Sequence, residues 1–261
     1  MEKLRHVDIF RVEFDLEEDK QELSSKLENL RILKNILRFP IDRMDVLSRR
    51  CPNLQQLEIG FGDDNDSAVF LSHIGESYPV SNTSPFLWGA HIVSGLQLPS
   101  NLNKLVLEGI HIESAIPFIA GLPSLEYLQL LDMYVPQSEV WCFGDITFHK
   151  LKLLKLMWLH ISRWDASEES FPLLETLVIK DCNRLEEIPL SFADIQQIKL
   201  VMCKNLEAST VRFKKDVEEN EGNDRIDLII KVSKNKLLCF VFEYLPASNL
   251  APICLIQNYY C

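Results

Sequence analysis

Six histidines, seven cysteines and an excess of carboxylates (38 Asp and Glu against 27 Lys and Arg) are the residues from which this 261-residue chain could build chemistry. Catalysis or metal binding needs such groups gathered at one point. His111 and His160 hold matching places two periods apart in a repeating pattern, which strand spacing makes roughly 10 Å. Two ligands of one metal must each lie within about 2 Å of it, so these read as turn or surface histidines. No pair of histidines or cysteines has zinc spacing, and no serine sits in a nucleophile-elbow sequence. Carboxylate runs such as Asp15–Asp19 and Glu218–Glu221 read as solvated faces. Cys182 and Cys203 each follow an apolar segment, where cysteine acts as a small hydrophobe. The sequence therefore predicts no catalytic residue, no metal ligand, no bound cofactor and no enzyme.

What remains is recognition. Tyr127, Gln129, Lys152, Leu153, Lys155, Met157, Trp158 and Lys180 fall at variable positions around the apolar residues of neighbouring segments. They predict an apolar–aromatic patch rimmed by lysines, the arrangement in which interfaces concentrate their energy. The competing reading is that Trp158 folds back onto its own segment. Elsewhere the same surface is acidic or neutral (Asp8, Glu28, Glu58, Glu108), so a charge-selected partner should dock by the lysines.

The segments that must position these residues repeat one phrase: apolar, two residues, apolar, one residue, apolar. The clearest copies are Leu151–Leu154–Leu156, Leu174–Leu177–Ile179 and Ile195–Ile198–Leu200. Earlier ones are Leu4–Val7–Ile9, Leu27–Leu30–Ile32, Leu54–Leu57–Ile59, Leu102–Leu105–Leu107 and Leu125–Leu128–Leu130. Their first residues are separated by 23, 27, 48, 23, 26, 23 and 21 positions. A unit of about 20–29 residues with this signature reads as a leucine-rich repeat. Each copy is a short strand whose last two apolar side chains share one face. One strand cannot bury that face alone; stacking in a parallel sheet can. The expected fold is α/β: a leucine-rich-repeat solenoid, or horseshoe, of about eight or nine repeats with a parallel concave sheet and an irregular convex side. Ile110, Met133, Leu159, Cys182 and Cys203 should point inward after their strands.

The organisation expected is repeats over residues 1–59 without an N-terminal cap, and a degenerate repeat with loops over 60–101. More repeats fill 102–206, followed by a charged segment and possible last strand (Arg225–Val232) over 207–232. A non-repeat tail, with disorder as one reading of it, completes the chain over 233–261. The absent cap and the tail's composition lead to the expectation of a fragment or truncated form. The net charge of −11 argues against nucleic acid as a partner. No window has the roughly 18–20 apolar residues of a membrane span. The odd cysteine count and lack of a signal peptide predict a cytoplasmic protein.

The run L-H-I-S-R-W-D-A-S-E-E-S-F-P-L-L-E-T-L-V-I-K-D-C-N-R-L-E-E-I-P-L-S-F-A-D-I (Leu159–Ile195) and its continuation Gln197–Ser209 carry a resemblance. With Cys51–Ile59 and Leu98–Leu107, they resemble the leucine-rich-repeat region of intracellular plant disease-resistance proteins. The similarity is to the late blight resistance protein homologs of the coiled-coil, nucleotide-binding class. The resemblance implies a protein-recognition module that senses a pathogen effector and holds a nucleotide-binding domain inactive in plant defence. That domain of the same receptor is the other implied partner. ADP or ATP is implied only for a full-length family member: no G-x-x-x-x-G-K-[ST] occurs here. Two alternatives stay open, a leucine-rich-repeat substrate adaptor of an F-box ubiquitin ligase and a non-functional truncated product.

Overall fold

The computed structural model describes residues 4–8, 26–61, 96–133, 135, 139–221 and 226–231. The chain divides into two units, residues 1–64 with 85–231 and residues 65–84 with 232–261. The second unit lies outside the described residues, and so does the tail expected over 233–261.

In the first unit the apolar triplets set the register of a parallel sheet. Its strands, in spatial order, are β1 (His6–Asp8), β2 (Ile32–Phe39), β3 (Gln56–Phe61), β4 (Lys104–Glu108), β5 (Tyr127–Leu131), β7 (Leu153–Met157), β9 (Thr176–Lys180), β10 (Gln197–Val201) and β11 (Asp227–Lys231). Leu57, Leu105, Leu128, Leu154, Leu177 and Ile198 stand in one register row. Ile59, Leu107, Leu130, Leu156, Ile179 and Leu200 form the next, and all twelve are buried. Burying one such side chain stabilises by about 1.5–3 kcal/mol, so these rows weld each strand to its neighbours. The α/β class and the parallel sheet are as the sequence predicts.

Two seams of backbone hydrogen bonds border the sheet. At the strand starts, single carbonyls accept from two successive amides of the next strand: Gln55 O from Asn103 and Lys104, Asn103 O from Glu126 and Tyr127, Glu126 O from Lys152 and Leu153, Lys152 O from Glu175 and Thr176. At the strand ends the chain turns through one left-handed residue: Gly109 (φ 71°), Asp132 (42°), Trp158 (54°), Asp181 (53°) and Met202 (59°). Each donates its N–H to the last carbonyl of the next strand, at 2.9–3.3 Å. The following residue points inward: Ile110, Met133, Leu159, Cys182 and Cys203 are all buried, as expected.

The second triplet is corrected. Leu27–Leu30–Ile32 is three residues out of phase; the register pairs Leu33 with Leu57 and Ile36 with Ile59, so the buried triplet is Leu30–Leu33–Ile36. The cause is a bulge: pairing shifts between Leu33 and Ile36, where Asn35 is left-handed (φ 58°), so the spacing changes from two to three. In the first copy Leu4 is exposed, and Ile9 lies outside the described residues. Most of the degenerate repeat expected over 60–101 also lies outside them. β3 and β4 are direct neighbours in the sheet.

The other side of the core is irregular. Helices Met44–Arg50 and Ile112–Ala120 return the chain after β2 and β4. A two-stranded parallel sheet, β6 (Val140–Cys142) with β8 (Arg163–Asp165), follows β5 and β7. The charged segment expected from residue 207 belongs to a helix, Lys204–Glu221. Leu206, Thr210, Phe213 and Val217 are buried at helical spacing, while Lys214–Glu218 and Lys215–Glu219 pair along its outside. β11, within the possible last strand Arg225–Val232, pairs with β10.

Candidate protein-recognition surface

A strand exposes every second residue to the face away from the core. Three outward positions per strand therefore form rows across the open face of this sheet. The middle row runs Glu58, Val106, Gln129, Lys155 and on through Val178 to Lys199, with the pair Lys34 and Asp8 beyond the β2 bulge. On its N-terminal side the charges alternate. Burial pushes the Glu58 carboxyl above its ordinary value, opposed by Lys34, Lys104 and Lys155 and reinforced by Asp8. Burial likewise lowers the Lys104 ammonium, with Lys34 repelling it and Glu58 holding it up.

Further along, the face turns apolar. Val106, Leu131 and Met157 form a cluster of their own, separate from the main core, and Tyr127 and Trp158 pack against it half-buried. Polar contacts tie it together. Tyr127 Oη donates to Gln129 Oε1 at 2.7 Å, and Gln129 Nε2 donates to Met157 Sδ at 3.5 Å. Lys104 Nζ lies 4.4 Å from the Tyr127 ring centroid and Lys180 Nζ 6.0 Å from that of Trp158, both within cation–π reach. Trp158 reaches this place because its backbone is left-handed, a conformation that costs a residue with a Cβ about 1–2 kcal/mol.

The structure thus brings together Tyr127, Gln129, Met157, Trp158 and Lys180, with Lys155 between Gln129 and Val178 in register. Met157, Lys180 and Gln129 are 0, 2 and 9 % exposed, so they support the patch instead of contacting a partner. Leu153 is half-buried beside Tyr127. Lys152 lies before the strand and is exposed; its Nζ pairs with Glu126 Oε2 at 3.3 Å. Trp158 packs half-buried against Val106 and Leu131 of neighbouring strands and Met157 of its own, so it does not fold back onto its own segment alone. Val106 and Leu131 were missed. Their signal was present: in K-L-V-L-E and Y-L-Q-L-L an apolar residue fills an outward position where alternation calls for a polar one.

No group of three His, Cys, Asp or Glu side chains among the described residues could hold a metal ion. Cys182 Sγ donates to Lys180 O at 3.4 Å and Cys203 Sγ to Val201 O at 3.3 Å. Burial pushes the Cys203 thiol up to about 11 and that of Cys182 higher still, so both behave as packing residues. No helix among the described residues is long and apolar enough to cross a membrane.

No protein-family model matches the chain. Among curated proteins it is similar to several late blight resistance protein homologs of Solanum demissum. One is 28 % identical over 92 % of this chain and 32 % of its own length. Homolog R1B-16 is 26 % identical over 86 % of this chain and 18 % of its own length. Homolog R1B-13 is 29 % identical over 78 % of this chain and 18 % of its own length. The resemblance carried by Leu159–Ile195 therefore extends over most of the chain. The chain spans about a third or less of the length of these relatives.

Proposed function

We propose that this chain is a protein-recognition module of an intracellular plant immune receptor, built as a leucine-rich-repeat horseshoe of eight or nine repeats whose concave side is the open sheet face. Its work is binding, without catalysis, in the cytoplasm. The observation that supports this best is the apolar cluster of Val106, Leu131 and Met157 on the sheet face turned away from the core, half-covered by Tyr127 and Trp158. Aromatic anchors beside cations are where interfaces gather their energy. The similarity to disease-resistance homologs supports the setting.

In this reading Tyr127, Trp158, Leu153 and Lys155 touch the partner, a pathogen effector or the nucleotide-binding domain of the same receptor. Binding shifts the receptor between off and on states by differential contacts. The test is co-precipitation with the receptor's nucleotide-binding domain, and effector-independent cell death in leaf tissue, for Trp158→Ala and Lys155→Glu. Each should weaken association about tenfold or more and release activity. Unchanged association and silence in both variants would sink the assignment. A P-loop in the coding sequence upstream supports the receptor; an F-box there would replace it with a ligase adaptor.

A further inference from the structure

A second surface lies along the strand starts, away from the open face. A groove of about 460 Å³ is lined by Arg31, Asn53, Gln55, Asn101, Asn103, Ser124, Glu126 and Lys150. These are the residues at, and two before, the carbonyls of the strand-start seam. Because those carbonyls already accept two amides each, the fold is satisfied by backbone alone and asks nothing of most of the side chains above it. Among the described residues, Asn53 and Asn101 use their side-chain N–H groups on Glu28 O and Pro52 O (both 2.9 Å), which leaves their Oδ1 atoms as acceptors there. No side-chain hydrogen bond among the described residues engages the amides of Gln55 and Asn103.

Charge at the two ends adds direction. Arg31 donates to the backbone carbonyls of Glu28 and Leu30 and meets no carboxylate among the described residues. Lys150 likewise has no ion pair among them, whereas Glu126 is neutralised by Lys152. In a chain of net charge −11, this is an amide floor between two cations that pair with no carboxylate among the described residues. Arg31 precedes β2 and Lys150 precedes β7, four strand spacings apart, or about 19 Å at about 4.8 Å each.

We infer that this groove binds an extended polypeptide segment carrying two carboxylates about six residues apart. Amides both donate and accept, which matches a peptide backbone. At about 3.3 Å per extended residue, six residues span the distance between the two cations. An acidic oligosaccharide fits less well: no aromatic ring lines the groove to stack on a sugar, and its carboxylates would recur at every unit instead of at the ends. The inference goes beyond the recognition surface proposed above and shares no lining residue with it.

The test uses the full chain and fluorescently labelled acetyl-Asp-Ser-Thr-Asn-Ser-Thr-Asp-amide, followed by anisotropy at low salt. Binding should weaken about tenfold when both Asp are replaced by Asn, and by a similar factor in Lys150→Gln and in Arg31→Gln. Arg31→Lys should retain most of the affinity, and added salt should reduce it. Lys155→Glu on the open face should leave this binding unchanged, so the two surfaces succeed or fail separately. Equal affinity for the Asn peptide, or unchanged binding in both Gln variants, overturns the inference. Binding of hexagalacturonate without binding of the peptide overturns it in favour of a sugar.

Discussion

The strands β2–β5 and the strands β7–β10 are built to one register, yet they are held in different ways. Three residues before each buried triplet, the first group has Leu27, Cys51 and Pro99. After Leu122 the position becomes Phe148, Phe171 and Phe192, and the rings stack at 5.2 and 5.4 Å between centroids. Phe143 joins at 5.0 Å from Phe171, and Trp164, paired with Trp141 across β6 and β8, lies 4.8 Å from Phe192. The early strands are backed by helices and tolerate a bulge; the later ones are clamped by an aromatic column and keep strict alternation. The lesson is that one pattern of leucines fixes register, while the residue at one further position decides how firmly a repeat is locked to the next.

The sharpest way to break this contrast is Phe171→Ala. It opens the middle of the column and should cost about 3–5 kcal/mol. Leu122→Ala, at the same position two strands earlier, should cost about 2–3 kcal/mol because fewer ring contacts are lost. Urea denaturation of both variants decides it: equal losses would mean the column has no special role.

The strand-end turn gives the next test. Gly109 is left-handed, and a Cβ there would lie 2.6 Å from the carbonyl oxygen of Phe61. Gly109→Ala should therefore cost about 2–3 kcal/mol by thermal melting. Asp181→Gly, at the matching turn between β9 and β10, should stay within about 1 kcal/mol of the parent. A harmless Gly109→Ala would show that the early strands shift freely to make room.

Thiol chemistry samples both regions at once. Burial holds Cys51 and Cys203 up to about 11, above the ordinary 9.0, whereas Cys142 is exposed. Among these, iodoacetamide at pH 8 should label Cys142 first and reach Cys51, Cys182 and Cys203 only on unfolding. The pH dependence follows in sign. A folded value above the unfolded one leaves stability fully present below about pH 9 and erodes it as pH rises through about 11. Melting temperature should be flat to about pH 8.5 and then fall, with a shallower fall in Cys203→Ala; an identical fall would remove Cys203 as a cause.

The smallest effect belongs to the alternating charges of the early strands. Because burial outweighs the neighbouring lysines at Glu58, folding pushes its carboxyl above the ordinary value, and its charge opposes folding. Glu58→Gln should leave the melting temperature unchanged or raise it by a degree or two, on the order of 0.5 kcal/mol. A clear drop would show that Lys34 and Lys104 hold the carboxylate more strongly than burial penalises it.

Much of the fold was legible because leucine spacing reports register directly. Wherever a strand is regular, from Leu54 to Leu200, the triplets land on the buried rows. The second copy failed because a bulge changes the spacing, and nothing in R-I-L-K-N-I-L marks where the extra residue goes. β6 and β8 were invisible because three-residue strands leave no period to detect. The helix Lys204–Glu221 was hidden by its charges, although its buried positions follow helical spacing. Of the candidate recognition surface, the strand positions were readable and the burial was not. Met157 and Lys180 look like outward residues in sequence, and only three-dimensional contact with Trp158 and its neighbours encloses them.

The double-accepting carbonyls at one border of the sheet and the left-handed residues at the other have an evolutionary consequence. Both borders are secured by backbone, so between them selection for folding falls on the inward-facing rows and spares most outward side chains. Outward positions such as 153, 155, 176 and 199 can then change with little loss of stability. Variation should accumulate along that strip and stop at its margins, at the strained turns above all, where a β-branched residue would not be tolerated.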